Sequence, residues 1–132
     1  MHEENKKGRT ILVVEDYDDI RLMMRSALEK NGYQVIEATN GREAVEVALR
    51  DHPDLILMDI WLPMQSGITA MELIRKDAEM SKVPIVAVTA YGAVGLDRKA
   101  IEAGCVECLT KPLNLDQLKA VVNRLLPVAA SE

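Results

Sequence analysis

Five short runs of aliphatic and β-branched residues alternate along this chain with five segments of helical periodicity, and that alternation constrains the fold most. The runs cover residues 10–14, 34–36, 54–58, 84–89 and 106–110. Several are near-continuous Ile, Leu and Val rather than strictly alternating. Strands buried on both faces of a parallel sheet have this appearance. Strands joined through helices by short loops form right-handed βαβ units, with helices on both sides of the sheet. The expected fold class is therefore α/β: a flavodoxin-like, doubly wound, five-stranded parallel sheet of order 2-1-3-4-5 with five helices. A dinucleotide-binding sheet is disfavoured, because the first run leads into Glu15-Asp-Tyr-Asp-Asp19 rather than a glycine loop.

The helical segments carry their own start and stop signals. Ile20, Met23, Met24, Ala27 and Leu28 form an apolar stripe that Asn31-Gly32 should end. Asn40 and Glu43 have capping-box spacing at the head of a second helix running to about residue 50. A third is expected over about 66–77 with Ile68, Met71 and Ile74 inward, and a fourth over about 92–103, stopped by Gly104. The fifth opens at Asn114, with Gln117 as capping partner, and should bury Leu115, Leu118, Val121, Val122 and Leu125.

At 132 residues there is room for one domain, expected over 9–127, with a loose polar lead at 1–8 and a tail at 128–132. The 48% hydrophobic and 28% charged residues are a globular composition. A net charge of −5, with the basic residues scattered, argues against nucleic acid as a partner. No apolar run approaches the roughly 18 residues of a membrane span, and no signal-peptide core follows the basic start. A cytoplasmic location is expected. Two cysteines make no disulfide framework. Cys105 and Cys108 in an extended strand would sit about 10 Å apart, beyond the roughly 7 Å between bridged Cα atoms, so unbridged thiols are expected.

In an open α/β sheet the ligand crevice lies beyond the carboxyl ends of the strands. There the first strand delivers Glu15 and Asp16, the third Asp59, the fourth Thr89 and the fifth Lys111. Three crowded carboxylates repel, and with one ammonium the cluster still carries about −2, so it needs a divalent cation or raised pKa values. Oxygen ligands without His or Cys favour Mg²⁺. A carboxylate can also accept a phosphoryl group as a nucleophile, with a lysine and a hydroxyl neutralising and placing its oxygens. Acidic residues also cap helix N-termini, which explains any one of these residues but not all five on one rim.

Taken together, Glu15-Asp16 after Ile-Leu-Val-Val, Leu-Ile-Leu-Met-Asp59, the Pro63…Gly67 loop, Val-Thr89-Ala90 and Leu-Thr-Lys111-Pro112 resemble the receiver domain of bacterial two-component response regulators. The resemblance covers about residues 9–127. It implies that Asp59 accepts a phosphoryl group from a histidine kinase or histidine phosphotransfer protein. It also implies that Glu15, Asp16, Asp59 and the backbone carbonyl of Trp61 hold Mg²⁺, and that Thr89, Ala90 and Lys111 bind the phosphoryl group and carry the switch. Lys111-Pro112 resembles the family's cis peptide.

Three departures modify that reading. Cys108 stands where the family usually has an aromatic switch residue, so Thr89 should couple to something else, with Tyr91 a candidate. Ser66 replaces a frequent Asp and Leu113 a frequent Phe. Trp61 and Tyr91 occupy positions that in this family face the hydrolytic water, and two large rings there are expected either to slow loss of the phosphoryl group or to lie at the surface as a partner contact.

The resemblance points to a single-domain signalling module, catalysing only its own phosphoryl transfer and dephosphorylation. Its expected output is a conformational switch read by a protein partner at the surface of helix four, strand five and helix five, as a monomer or weak dimer. A haloacid-dehalogenase-like hydrolase would want a second Asp two residues past Asp59, where Trp61 stands. A receiver that has lost its chemistry has no physical reason to keep the crowded charges, and an acidic first loop would repel a flavin phosphate.

Overall fold

The computed structural model describes residues 9–61, 66–89 and 96–126, with only the backbone at 96 and 97. Five strands, β1 (Thr10–Val14), β2 (Gln34–Ala38), β3 (Leu55–Asp59), β4 (Ile85–Thr89) and β5 (Glu107–Thr110), form one sheet. They alternate with α1 (Asp18–Lys30), α2 (Gly41–Asp51), α3 (Gly67–Arg75), α4 (Leu96–Ala103) and α5 (Leu115–Leu125). Every strand pair is parallel and the order is β2-β1-β3-β4-β5. This is the fold class expected from the sequence.

The continuous apolar runs have the predicted origin. All five residues of β3 and all five of β4 are buried, whereas the edge strands β2 and β5 are only partly so. Side chains alternate across the sheet and divide the core in two. Leu12, Val14, Ile56, Met58, Ile85 and Ala87 pack with α2, α3 and α4. Ile11, Val13, Leu55, Leu57, Val86 and Leu109 pack with α1 and α5. Each fully buried Leu or Ile contributes roughly 1.5–3 kcal/mol through burial, so the strand ends are held by an extensive core.

Helix starts follow the side-chain chemistry. Asn40, Ser66 and Asn114 each accept a hydrogen bond from the backbone N–H three residues on. At α2 the return bond of the expected capping box is displaced: the Glu43 carboxylate accepts from the backbone N–H and hydroxyl of Thr39, at 2.6 and 3.0 Å. Gly32, just past α1, takes a φ of 95°, a left-handed value that favours glycine.

Two expectations are corrected. The spacing puts Met23 on the inward stripe of α1, but it is 41% exposed, while Met24, Ala27 and Leu28 are buried. The helix turns its core face slightly away from residue 23. The separation assumed for Cys105 and Cys108 also fails. Their thiols are unbridged, but β5 starts only at Glu107 and the chain bends at Val106, which brings the two sulfurs to 3.6 Å.

Candidate functional site

The carboxyl ends of β1, β3 and β5 converge on one acidic cluster. Asp59 ends β3 and Glu15 and Asp16 follow β1, while Lys111 follows β5. Glu15 and Asp59 are 1% and 2% exposed. One carboxylate oxygen from each of Glu15, Asp16 and Asp59 lies within 4.8 Å of the others.

Each buried carboxylate is held by few donors. Asp59 Oδ1 accepts from the Trp61 backbone N–H at 3.1 Å, and Oδ2 accepts from Lys111 Nζ at 3.1 Å. Glu15 Oε2 accepts from the Tyr17 backbone N–H at 3.1 Å, and Oε1 lies 3.4 Å from Lys111 Nζ. Asp16 Oδ1 is buried with no hydrogen-bond partner, alone in this among the described residues. An unpaired buried oxygen is costly to leave unmatched, and three oxygens so close together suit a hard divalent cation. The donor set therefore fits Mg²⁺.

Burial dominates the protonation behaviour. It raises the Asp59 carboxyl above its ordinary value, and the Asp16 charge adds to this, although Lys111 and the Trp61 amide pull the other way. Glu15 is raised for the same reason, with Asp59 reinforcing burial and the Tyr17 amide and Lys111 opposing it. At Lys111 burial works against the charge, but the two carboxylates outweigh it and hold the ammonium above its usual value.

Thr89, buried at the end of β4, donates its hydroxyl to the Leu109 carbonyl at 3.5 Å, a long bond. The Lys111 backbone N–H donates to the Thr89 carbonyl at 2.8 Å, which joins the ends of β4 and β5. The Lys111–Pro112 peptide is cis. Cys108 pairs in register with Ala87, two residues before Thr89. Ala90, Tyr91 and Pro63 lie outside the described residues.

Two residues that the sequence motifs do not mark, Arg21 and Tyr17, shape the site, and a third, Arg75, works at the other end of the sheet. Arg21 donates to the Glu15 carbonyl at 2.9 Å and to the side chains of Asp18 and Glu37, so α1 is bolted to the strand end that carries the acidic pair. Its spacing from Asp18 was the available signal. Tyr17 is largely exposed, and its ring centroid lies 6.0 Å from Lys111 Nζ, the outer limit of a cation–π contact. Arg75 donates to the carbonyls of Gly104, Val83, Met80 and Ser81, tying α3 to the strand entries on the opposite side of the sheet.

The response regulator receiver domain model matches residues 11–123. The polar-differentiation response regulator DivK of Brucella ovis is 32% identical over 118 residues, covering 89% of this chain and 96% of DivK. The receiver domain of sensor histidine kinase PA1611 from Pseudomonas aeruginosa PAO1 superposes with a TM-score of 0.83 at 34% identity, covering 90% of this chain and 98% of that one. That structure has a magnesium ion coordinated in its active-site cleft. A response regulator from Chloroflexus aurantiacus J-10-fl gives a TM-score of 0.86 at 31% identity over 91% of this chain and 98% of its own. With its sheet order, its acidic cluster and these likenesses in agreement, the chain belongs to the response regulator receiver domains of two-component signalling.

Proposed function

We propose that this receiver domain accepts a phosphoryl group on Asp59 from the phosphohistidine of a histidine kinase or phosphotransfer protein. In the transfer an Asp59 carboxylate oxygen bonds to phosphorus as the phosphorus–nitrogen bond breaks, and the departing imidazole takes up a proton. The observation that carries this reading is the gathering of Glu15, Asp16 and Asp59 oxygens within 4.8 Å, with Lys111 Nζ 3.1 Å from Asp59. Glu15, Asp16, Asp59 and the Trp61 carbonyl would hold Mg²⁺. When bound, the cation supplies neutralisation of the phosphoryl oxygens.

Lys111 binds a phosphoryl oxygen and balances the incoming charge. Burial of Asp59 excludes bulk water, which strengthens these electrostatic contacts. The Thr89 hydroxyl, held by one long bond to Leu109, is readily surrendered to a new anionic acceptor. That movement would bias the ends of β4 and β5 between two arrangements, to be read by a protein partner on the surface of α4, β5 and α5. Ala90 and Tyr91 complete the proposed switch segment, and Cys108 provides no aromatic ring to it. Magnesium is the proposed cofactor, and self-transfer and self-dephosphorylation the only chemistry.

Incubation with Mg²⁺ and acetyl phosphate, followed by intact mass, tests the reading. One added phosphoryl mass is expected, absent in Asp59→Asn and in EDTA. No gain in the wild type, or an undiminished gain in Asp59→Asn, would overturn it. Sustained turnover of the donor at high rate would favour a hydrolase.

A further inference from the structure

The entrance to β5 holds a pair of thiols that the phosphoryl chemistry does not use. The Cys105 backbone N–H donates to the Ala100 carbonyl of α4 at 3.1 Å, and the Val106 N–H donates to Ile85 of β4 at 2.8 Å. These two bonds fix the chain on either side of a bend, and the strand begins one residue later. The bend cancels the alternation that would separate residues 105 and 108. Their sulfurs meet at 3.6 Å, the distance of a thiol–thiol contact. Closing that contact to a bond of about 2.05 Å brings the two sulfurs about 1.5 Å closer.

The two sulfurs differ in access. Cys105 is buried in the cluster beneath α4, whereas Cys108 is only partly buried against it. Beside them, the described hydrogen bonds of the Arg75 guanidinium all go to carbonyl oxygens, so they leave its charge unneutralised. Two of those bonds go to the Gly104 carbonyl, which places the guanidinium next to Cys105 along the chain.

We propose that Cys105 and Cys108 form a reversible intramolecular disulfide, which makes the entrance to β5 a redox-modification site. The oxidant is a low-molecular-weight disulfide of the glutathione class. The Cys108 thiolate attacks one of its sulfurs and expels a thiolate that leaves as the free thiol after taking up a proton. Cys105, deprotonated in turn, attacks the Cys108 sulfur of the mixed disulfide and expels the second small thiol. The protein loses two hydrogens, and the small disulfide is reduced by the same two electrons to two thiols. Because the sulfurs are already in contact, the second step is intramolecular and outruns a second external exchange. A small dithiol reverses the sequence.

Native protein is incubated with excess oxidised glutathione, alkylated with iodoacetamide and weighed without reduction. The expected product has the mass of the chain less two hydrogens, with neither cysteine alkylated, and it recovers both alkylatable thiols after dithiothreitol. Cys105→Ala keeps a buried apolar side chain and should stop at a glutathione adduct on Cys108, as should Cys105→Ser. Cys108→Ala should show little modification, since the remaining thiol is buried. A wild-type chain that stops at the mixed disulfide, forms a disulfide-linked dimer or leaves both thiols alkylatable would overturn the proposal. These outcomes do not depend on phosphorylation of Asp59.

Discussion

Lys111 Nζ stands 3.1 Å from Asp59 Oδ2 and so joins the ends of two strands that are separated in the sheet by β4. The same ammonium lies 3.4 Å from Glu15, so one cation serves two buried carboxylates. A hydrogen bond to a charged group is worth about 1.5–3 kcal/mol. If that interaction strengthens as phosphoryl charge arrives, Lys111→Met should slow the gain of phosphoryl mass from acetyl phosphate by about 10- to 100-fold. An unchanged rate would remove Lys111 from the chemistry.

The raised carboxyls give the cation-free protein a definite pH response. Burial lifts Asp59 and Glu15 above the usual carboxylate pKa of about 4. Between that value and the raised ones, the folded state binds more protons than the unfolded chain. Stability from this cluster is therefore complete below the unfolded pKa and lost as pH rises through the folded values. The raised Lys111 is fully stabilising below the ordinary lysine value of about 10.4 and adds no slope in this window. Glu37 has the opposite sign, because Arg21 and Arg25 outweigh its burial and lower its pKa; its contribution is lost as pH falls. Urea midpoints in EDTA at about pH 5 and 7 separate the two, since Asp59→Asn changes only the cluster. Relative to the wild type, Asp59→Asn should gain stability at the higher pH more than at the lower. Added Mg²⁺ should stabilise the wild type most at the higher pH. An Asp59→Asn effect that is the same at both values would refute the assignment.

The approach of α3 to the end of β3 rests on a missing side chain. A Cβ at Gly67 would meet the Asp59 carbonyl oxygen at 2.3 Å and Ile60 Cα at 2.9 Å, and neither is a flexible tip. The Gly67 N–H also donates to the Ile60 carbonyl at 3.0 Å, so the contact is fixed from both sides. Gly67→Ala must push the strand end outward, at a cost of roughly 1–3 kcal/mol for overpacking. A lower urea midpoint is expected, together with slower phosphoryl gain because Asp59 moves with its backbone. Wild-type stability in this variant would show that α3 yields freely.

Much of this arrangement was legible in the sequence, for physical reasons. Apolar runs at 54–58 and 84–89 marked central strands because both faces of β3 and β4 are buried. Glu15, Asp16, Asp59, Thr89 and Lys111 were legible because parallel strands deliver their carboxyl ends to one rim. What escaped was contact made by bends and long side chains. The Val106 bend that joins the two sulfurs has no periodic signature. Arg75 has no signature beyond being basic at a helix end, yet it reaches the Gly104 carbonyl just past the neighbouring α4. Met23 followed the stripe by spacing, but its exposure depends on how α1 is rotated against α5 and the sheet.

Trp61 allows a ring to be separated from its backbone. Its N–H donates to Asp59 Oδ1 at 3.1 Å, while the residue as a whole is 63% exposed. Trp61→Ala therefore keeps the amide bond and the carbonyl proposed for the cation, and it opens no core cavity. It removes only a large apolar surface at the mouth of the site. If that surface slows the approach of the hydrolytic water, its loss should lower the dephosphorylation barrier by about 1 kcal/mol and shorten the phosphoaspartate lifetime about fivefold. Tyr91→Ala should act in the same direction, and the double variant should exceed either. The decay of the phosphoryl mass after donor removal measures all three. Unchanged lifetimes, with phosphoryl uptake intact, would mean that water reaches Asp59 by a path the rings do not cover.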